Sequence, residues 1–132
     1  MIKDSLFDPE SDTHSSDSVL YRRTKDSIWV RVFLYLDDHN LESIVATEYI
    51  LPQSFVPRSR YITRTPSNTF CKLAIWTKNT FFVKAKITLK GEGQIVTTSY
   101  KLRFNEWLNH IPKDKWKREG QEEAELWNSK NR

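Results

Sequence analysis

The chain has 132 residues and a mass of 15.7 kDa, with 38% hydrophobic and 29% charged residues, a mean hydropathy of −0.65 and a formal net charge of +4. That is material for one domain with tails and too little for two filled cores. No apolar run reaches the roughly 18 to 20 residues of a membrane span, the first residues lack the basic and apolar regions of a secretory leader, and a single cysteine, Cys71, excludes a disulfide framework or a thiolate-rich zinc site. These features point to an intracellular protein, cytoplasmic or nuclear.

The first 18 residues set Asp4, Asp8, Glu10, Asp12 and Asp17 against Lys3, with serines between them. Such a stretch cannot bury enough apolar surface to offset its ordering entropy, which predicts a disordered acidic leader over 1–18 ahead of one β-rich domain over 19–132. The net charge is −4 over 1–17, +7 over 18–112 and +1 over 113–132, so the acidic leader masks a basic middle. A basic domain, with a whole-chain pI near 9.2, suits a polyanion partner.

In 28–36 the even positions Ile28, Val30, Val32, Leu34 and Leu36 are aliphatic and the odd ones are Trp29, Arg31, Phe33 and Tyr35. Period-two alternation with both faces largely apolar predicts a strand covered on both sides. Asp37-Asp38-His39-Asn40 reads as a turn, because Asp and Asn bond their own backbone. A hairpin closed there pairs Leu36 with Leu41, Val32 with Val45 and Ile28 with Tyr49. Pro52, Pro57 and Pro66 then mark loops around a short edge strand near Tyr61–Arg64, a segment that also carries Arg58, Arg60 and Arg64.

In 81–89 Phe81, Val83, Ala85, Ile87 and Leu89 alternate with Phe82, Lys84, Lys86 and Thr88, and Ile95–Phe104 alternates likewise. A loop over Gly91–Gln94 sets Leu89 by Val96, Ala85 by Tyr100 and Phe81 by Phe104, whereas a slip of one residue would set Val83 against Lys101. A three-residue loop, Lys78–Thr80, would add Cys71–Trp76 as a third strand. The outer face of that sheet then reads Lys72, Trp76, Phe82, Lys84, Lys86, Lys90, Lys101 and Arg103, with Lys84 opposite Lys101 and no acidic residue. Rings flanked by cations suit single-stranded nucleic acid, whose bases stack and whose phosphates need neutralising. A solvated lysine-rich face that keeps the sheet soluble accounts for the same residues without a ligand.

From about residue 105 the pattern becomes helical. Asn105 and Pro112 stand at helix-start positions, Asp114 and Arg118 form an i, i+4 pair, and Trp116 and Trp127 share a face, either against the sheet or against a partner.

Catalytic chemistry is thin. His14 lies in the expected leader and His110 beside Pro112, so Asp37, Asp38 and His39 form the one local cluster that could bind a cation or act as acid and base, and turn chemistry explains it more simply. Cys71 alternates toward the core with Leu73 and Ile75, where cysteine behaves as a small hydrophobe. The expected fold is therefore mainly β, a small antiparallel sandwich or partly open barrel of about six strands with C-terminal helix or helices. The expected function is a small non-enzymatic accessory module, needing no cofactor or metal, that binds a polyanion, RNA or single-stranded DNA, through the basic and aromatic sheet face with Arg58, Arg60 and Arg64 in support. The alternative is a protein-interaction or assembly subunit that associates through sheet edges and the helix bearing Trp116 and Trp127.

Overall fold

The computed structural model describes residues 1–10, 18–37, 40–91 and 93–118. Among them nine strands form two sheets: β1 (Ile2–Ser5), β2 (Val19–Arg23), β3 (Ile28–Leu36), β4 (Ile44–Ile50), β5 (Ser59–Thr63), β6 (Leu73–Thr77), β7 (Phe82–Leu89), β8 (Ile95–Lys101) and β9 (Trp116–Arg118). In the first sheet β3 is the spine. β1 lies beside its C-terminal half and β2 beside its N-terminal half, while β6 overlaps both registers and so takes the opposite edge. β9 extends this sheet by running parallel to β2. The second sheet is antiparallel in the order β5-β4-β7-β8.

Alternation decides what lies between the sheets. Val30, Val32, Leu34 and Leu36 of β3 and Val83, Ala85 and Ile87 of β7 are buried, and they join Tyr49, Ile75, Leu102 and Phe104 in one core cluster. Burying each large aliphatic side chain contributes about 1.5 to 3 kcal/mol, enough to lock the choice of inner face. The mainly β sandwich expected from the sequence is the architecture found, with nine strands rather than six.

The pairing of strands differs from expectation in two places. β3 and β4 do not form a hairpin: β3 belongs to the first sheet and β4 to the second, so the chain crosses the core between them. Likewise β6 pairs with β3, not with β7, and the chain crosses back over Lys78–Phe81. Every strand of a sandwich shows the core one apolar face, so the hydrophobic pattern selects the face without selecting the neighbour.

The β7–β8 hairpin keeps its expected faces but moves its loop by one residue. Val83 faces Tyr100, Ala85 faces Thr98 and Ile87 faces Val96, and the Leu89 N–H donates to the Gln94 carbonyl at 2.9 Å, leaving Lys90–Gly93 as the loop. Gly91 and Gly93 both adopt positive φ, 96° and 73°, which a side chain would resist, and this fixes where the chain turns.

The start of the chain departs from the sequence reading. Residues 2–5 of the expected leader form β1, with Ile2, Asp4 and Leu6 buried, while 11–17 lie outside the described residues. Among the described residues the expected C-terminal helical segment takes the form of short 3-10 turns at Phe104–Glu106, Leu108–His110 and Lys113–Lys115, after which Trp116 sits on β9 and packs edge-on to Tyr21 with ring centroids 5.9 Å apart. Trp127 lies outside the described residues.

Asp4 joins the sheets. Its buried carboxylate accepts hydrogen bonds from the Tyr100 hydroxyl at 2.6 Å and from the backbone N–H groups of Arg103 at 2.9 Å and Phe104 at 2.8 Å. Burial, and then this carboxylate, push the Tyr100 phenol up. Asp4→Ala would strand three donors, two of them on the backbone, and is expected to cost about 3 kcal/mol in urea unfolding. An Asp4→Ala protein with wild-type stability would show that the tie is dispensable.

Candidate functional site

A cleft of about 560 Å³ opens at the end of the sandwich where the chain crosses from β6 to β7. Its walls come from the start of β3 (Trp29), the β4–β5 loop (Pro52, Ser54, Phe55, Val56), β6 (Ala74–Thr77) and the crossing itself (Lys78–Phe81), with Arg60 at the side. Four consecutive residues of β6 line it, and β3 is the sheet neighbour of β6 among the described residues, so the free edge of β6 borders the cleft.

Local hydrogen bonds hold both loops. The buried Thr77 hydroxyl donates to the Asn79 carbonyl at 2.7 Å and accepts from the Asn79 N–H at 3.3 Å, while the Leu102 N–H donates to the Phe81 carbonyl at 3.0 Å. In the β4–β5 loop the Leu51 N–H donates to the Arg58 carbonyl at 2.9 Å, Arg58 Nε donates back to the Leu51 carbonyl at 2.8 Å, and Arg60 Nε donates to the Pro57 carbonyl at 2.7 Å. Phe55 and Phe81 meet across the gap with ring centroids 5.3 Å apart, tilted by 56°. Val56 at the loop tip is 89% exposed, an apolar side chain held in water beside an aromatic wall.

The cleft is basic at its rim. Lys78 Nζ stands 5.4 Å from the centre of the Trp29 ring, and the Arg22 guanidinium lies 4.2 Å from that of Trp76. Among the described residues, no carboxylate lines it.

The residues read from the sequence as one basic and aromatic face are divided between the sheets. Phe82, Lys84, Lys86 and Lys101 lie exposed on the outer face of the second sheet, with Lys101 Nζ 5.7 Å from the Phe82 ring. Lys84 faces Ser99 rather than Lys101, and Lys86 faces Thr97 on one side and Glu48 on the other, so the face is not free of acid. Trp76 belongs to the first sheet and lines the cleft with Arg60. Lys72, just before β6, is bonded to both Asp8 carboxylate oxygens at 2.8 and 2.9 Å. Lys90 sits in the β7–β8 loop, Arg103 pairs with Glu106 at 2.8 Å, and Arg64 Nε donates to the Thr69 carbonyl at 3.1 Å. The wrong third strand caused this merger. Sequence reasoning passed over Trp29, Phe55, Thr77 and Phe81, although an apolar Phe55-Val56 pair inside a proline-punctuated loop marks a surface built for contact.

The family model of the prokaryotic YEATS domain matches residues 25–103. The chain belongs to the prokaryotic YEATS domain family. No curated protein and no solved structure matches it significantly. YEATS-like domains have an immunoglobulin-like β fold and are small binding modules with protein partners. Every residue that lines the aromatic cleft falls inside the YEATS match. Among the described residues no helix is long and apolar enough to cross a membrane.

The Lys72–Asp8 pair outside the cleft gives a test of the N-terminal attachment. Partial burial works to raise the Asp8 carboxyl, but the hydrogen bonds from Lys72 and from the Glu10 N–H outweigh it and hold the group below the usual carboxylate range. A carboxyl depressed in the folded state contributes stability above its unfolded value and loses it as pH falls through the folded one. The stability difference between wild type and Asp8→Asn is therefore expected to be constant above about pH 5 and to shrink below pH 4. A difference that grows in acid would contradict the assignment.

Proposed function

We propose that this YEATS domain binds a protein segment by taking an acylated lysine side chain into the aromatic cleft. YEATS domains bind acylated protein, and the cleft offers apolar walls from Trp29, Phe55, Trp76 and Phe81 with polar groups from Ser54, Thr77 and Asn79 beside them. An acyl-lysine ends in a flat, neutral amide, which stacks on such rings and needs few hydrogen bonds.

The observation that carries the reading is the charge at the aromatic rings. Rings alone would equally suit an ammonium group through cation–π attraction. Here Trp29 and Trp76 already carry the chain's own cations, Lys78 and Arg22, and the described lining residues include no carboxylate to neutralise another. A charged lysine entering the cleft would lose its hydration with no counter-charge in return, whereas acylation removes that cost.

Nucleic acid is the second reading. It rests on the exposed Lys84, Lys86 and Lys101 beside Phe82, without Trp76, which stands on the other sheet. That surface has cations for phosphates but one ring for stacking, so the cleft is favoured.

Fluorescence anisotropy with labelled peptides separates the readings. Peptides with acetyl- or butyryl-lysine are expected to bind, the unmodified peptide at least about tenfold more weakly, and Phe81→Ala or Phe55→Ala, checked for folding by thermal unfolding, to lose about tenfold or more. Equal binding of modified and unmodified peptides, or tight RNA binding with a steep salt dependence that the cleft variants leave unchanged, would overturn the proposal.

A further inference from the structure

A second groove, of about 610 Å³, lies beside the cleft on the outer side of the second sheet. Its lining includes Leu51, Pro52, Arg58, Phe82, Lys84 and Lys86. Pro52 lines both depressions, and the neighbours Phe81 and Phe82 open one to each, so cleft and groove meet over a saddle made by Pro52 and this aromatic pair. The charged side chains of the groove are Arg58, Lys84 and Lys86. Arg58 is fixed through its Nε bond to the Leu51 carbonyl, and Lys84 and Lys86 stand two residues apart on the same face of β7 with no carboxylate in salt-bridge contact among the described residues. Glu48, across from Lys86 on β4, is engaged by the Ser59 hydroxyl and does not line the groove.

We infer that the groove selects acidic residues next to the acyl-lysine, so that the preferred partner is an acidic protein segment rather than a basic one. The inference rests on the acyl-lysine reading of the cleft and specifies the sequence around that lysine. Because Pro52 lines both depressions, an extended peptide that leaves the cleft over the saddle carries the residues flanking the acyl-lysine into the groove of Arg58 and Lys84. Carboxylates at those positions meet two or three cations at a partly enclosed surface, and lysines there meet like charge. Three separated cations also suit a short peptide better than a nucleic-acid strand, for which Phe82 is the one ring among the described residues of the groove.

The test uses two labelled 11-residue peptides with one central butyryl-lysine, flanked on both sides by Glu in one and by Lys in the other, together with a 12-nucleotide single-stranded RNA. At low salt the Glu-flanked peptide is expected to bind about tenfold more tightly than the Lys-flanked one, and the preference should fade at high salt. Lys84→Glu with Lys86→Glu should reverse it while leaving the affinity of butyryl-lysine amide unchanged, because the amide reaches the cleft alone. Equal affinities for the two peptides, or a preference untouched by the double reversal, would overturn the inference and leave the cleft standing. RNA binding tighter than the Glu-flanked peptide, and lost in the double variant, would assign the groove to nucleic acid and overturn it too. Loss of butyryl-lysine amide binding by wild type would instead sink the reading of the cleft.

Discussion

The site exists because the chain changes sheets between Thr77 and Phe82, and the Thr77 hydroxyl braces the turn where the crossing begins. Thr77 ends β6 with its side chain turned inward, and its hydroxyl both donates to and accepts from Asn79. That short loop of hydrogen bonds fixes the turn from which Lys78–Phe81 cross the gap to the other sheet. Had β6 and β7 closed as a hairpin, Trp76 and Phe82 would share one flat face, and no opening would separate the edge of β6 from the β4–β5 loop. With the crossing, Phe81 meets Phe55 from the opposite wall, and Trp29 and Trp76 close the far side.

The crossing also gives neighbouring residues different duties. Phe81 and Phe82 are adjacent in the chain, yet one lines the aromatic cleft and the other the basic groove. The same holds in the β4–β5 loop, where Phe55 and Val56 border the cleft while Arg58 borders the groove. Two surfaces of different chemistry, aromatic-walled with a basic rim in one case and a cationic groove in the other, are thus held side by side by the pair of sheets. Rigid scaffolds with loops at one end are a frequent solution for recognition, since ordering costs are met at folding rather than at binding.

Much of the fold was legible in the residues, and the parts that were not share a cause. The alternation of Val30, Val32, Leu34 and Leu36, and of Val83, Ala85 and Ile87, named the inner faces because burial acts on side chains with period two. It was silent on partners, since the inner face of β6 is as apolar as that of β7 whichever sheet it joins. The chosen hairpins therefore placed Trp76 beside Phe82 and made one basic, aromatic face from two. In the leader, acidic composition hid β1, because Asp4 is stabilised by donors about a hundred residues away, at Tyr100, Arg103 and Phe104. At the other end Trp116 read as helical from spacing to Trp127, but it pairs with Val19 in a parallel ladder that no local pattern announces. The cleft was missed for the same reason, being assembled from segments near 29, 55, 76 and 81 that only the crossings bring together.

The most direct test of the account is a nuclear magnetic resonance titration of the ¹⁵N-labelled chain with butyryl-lysine amide, following the indole N–H signals of its five tryptophans. Shifts are expected at Trp29 and Trp76 and at the backbone amides of the β4–β5 loop and Lys78–Phe81, with Trp107 and Trp116 unmoved. Shifts centred on Lys84, Lys86 and Lys101 with Trp29 and Trp76 unchanged, or no shifts at all at saturating ligand, would contradict it.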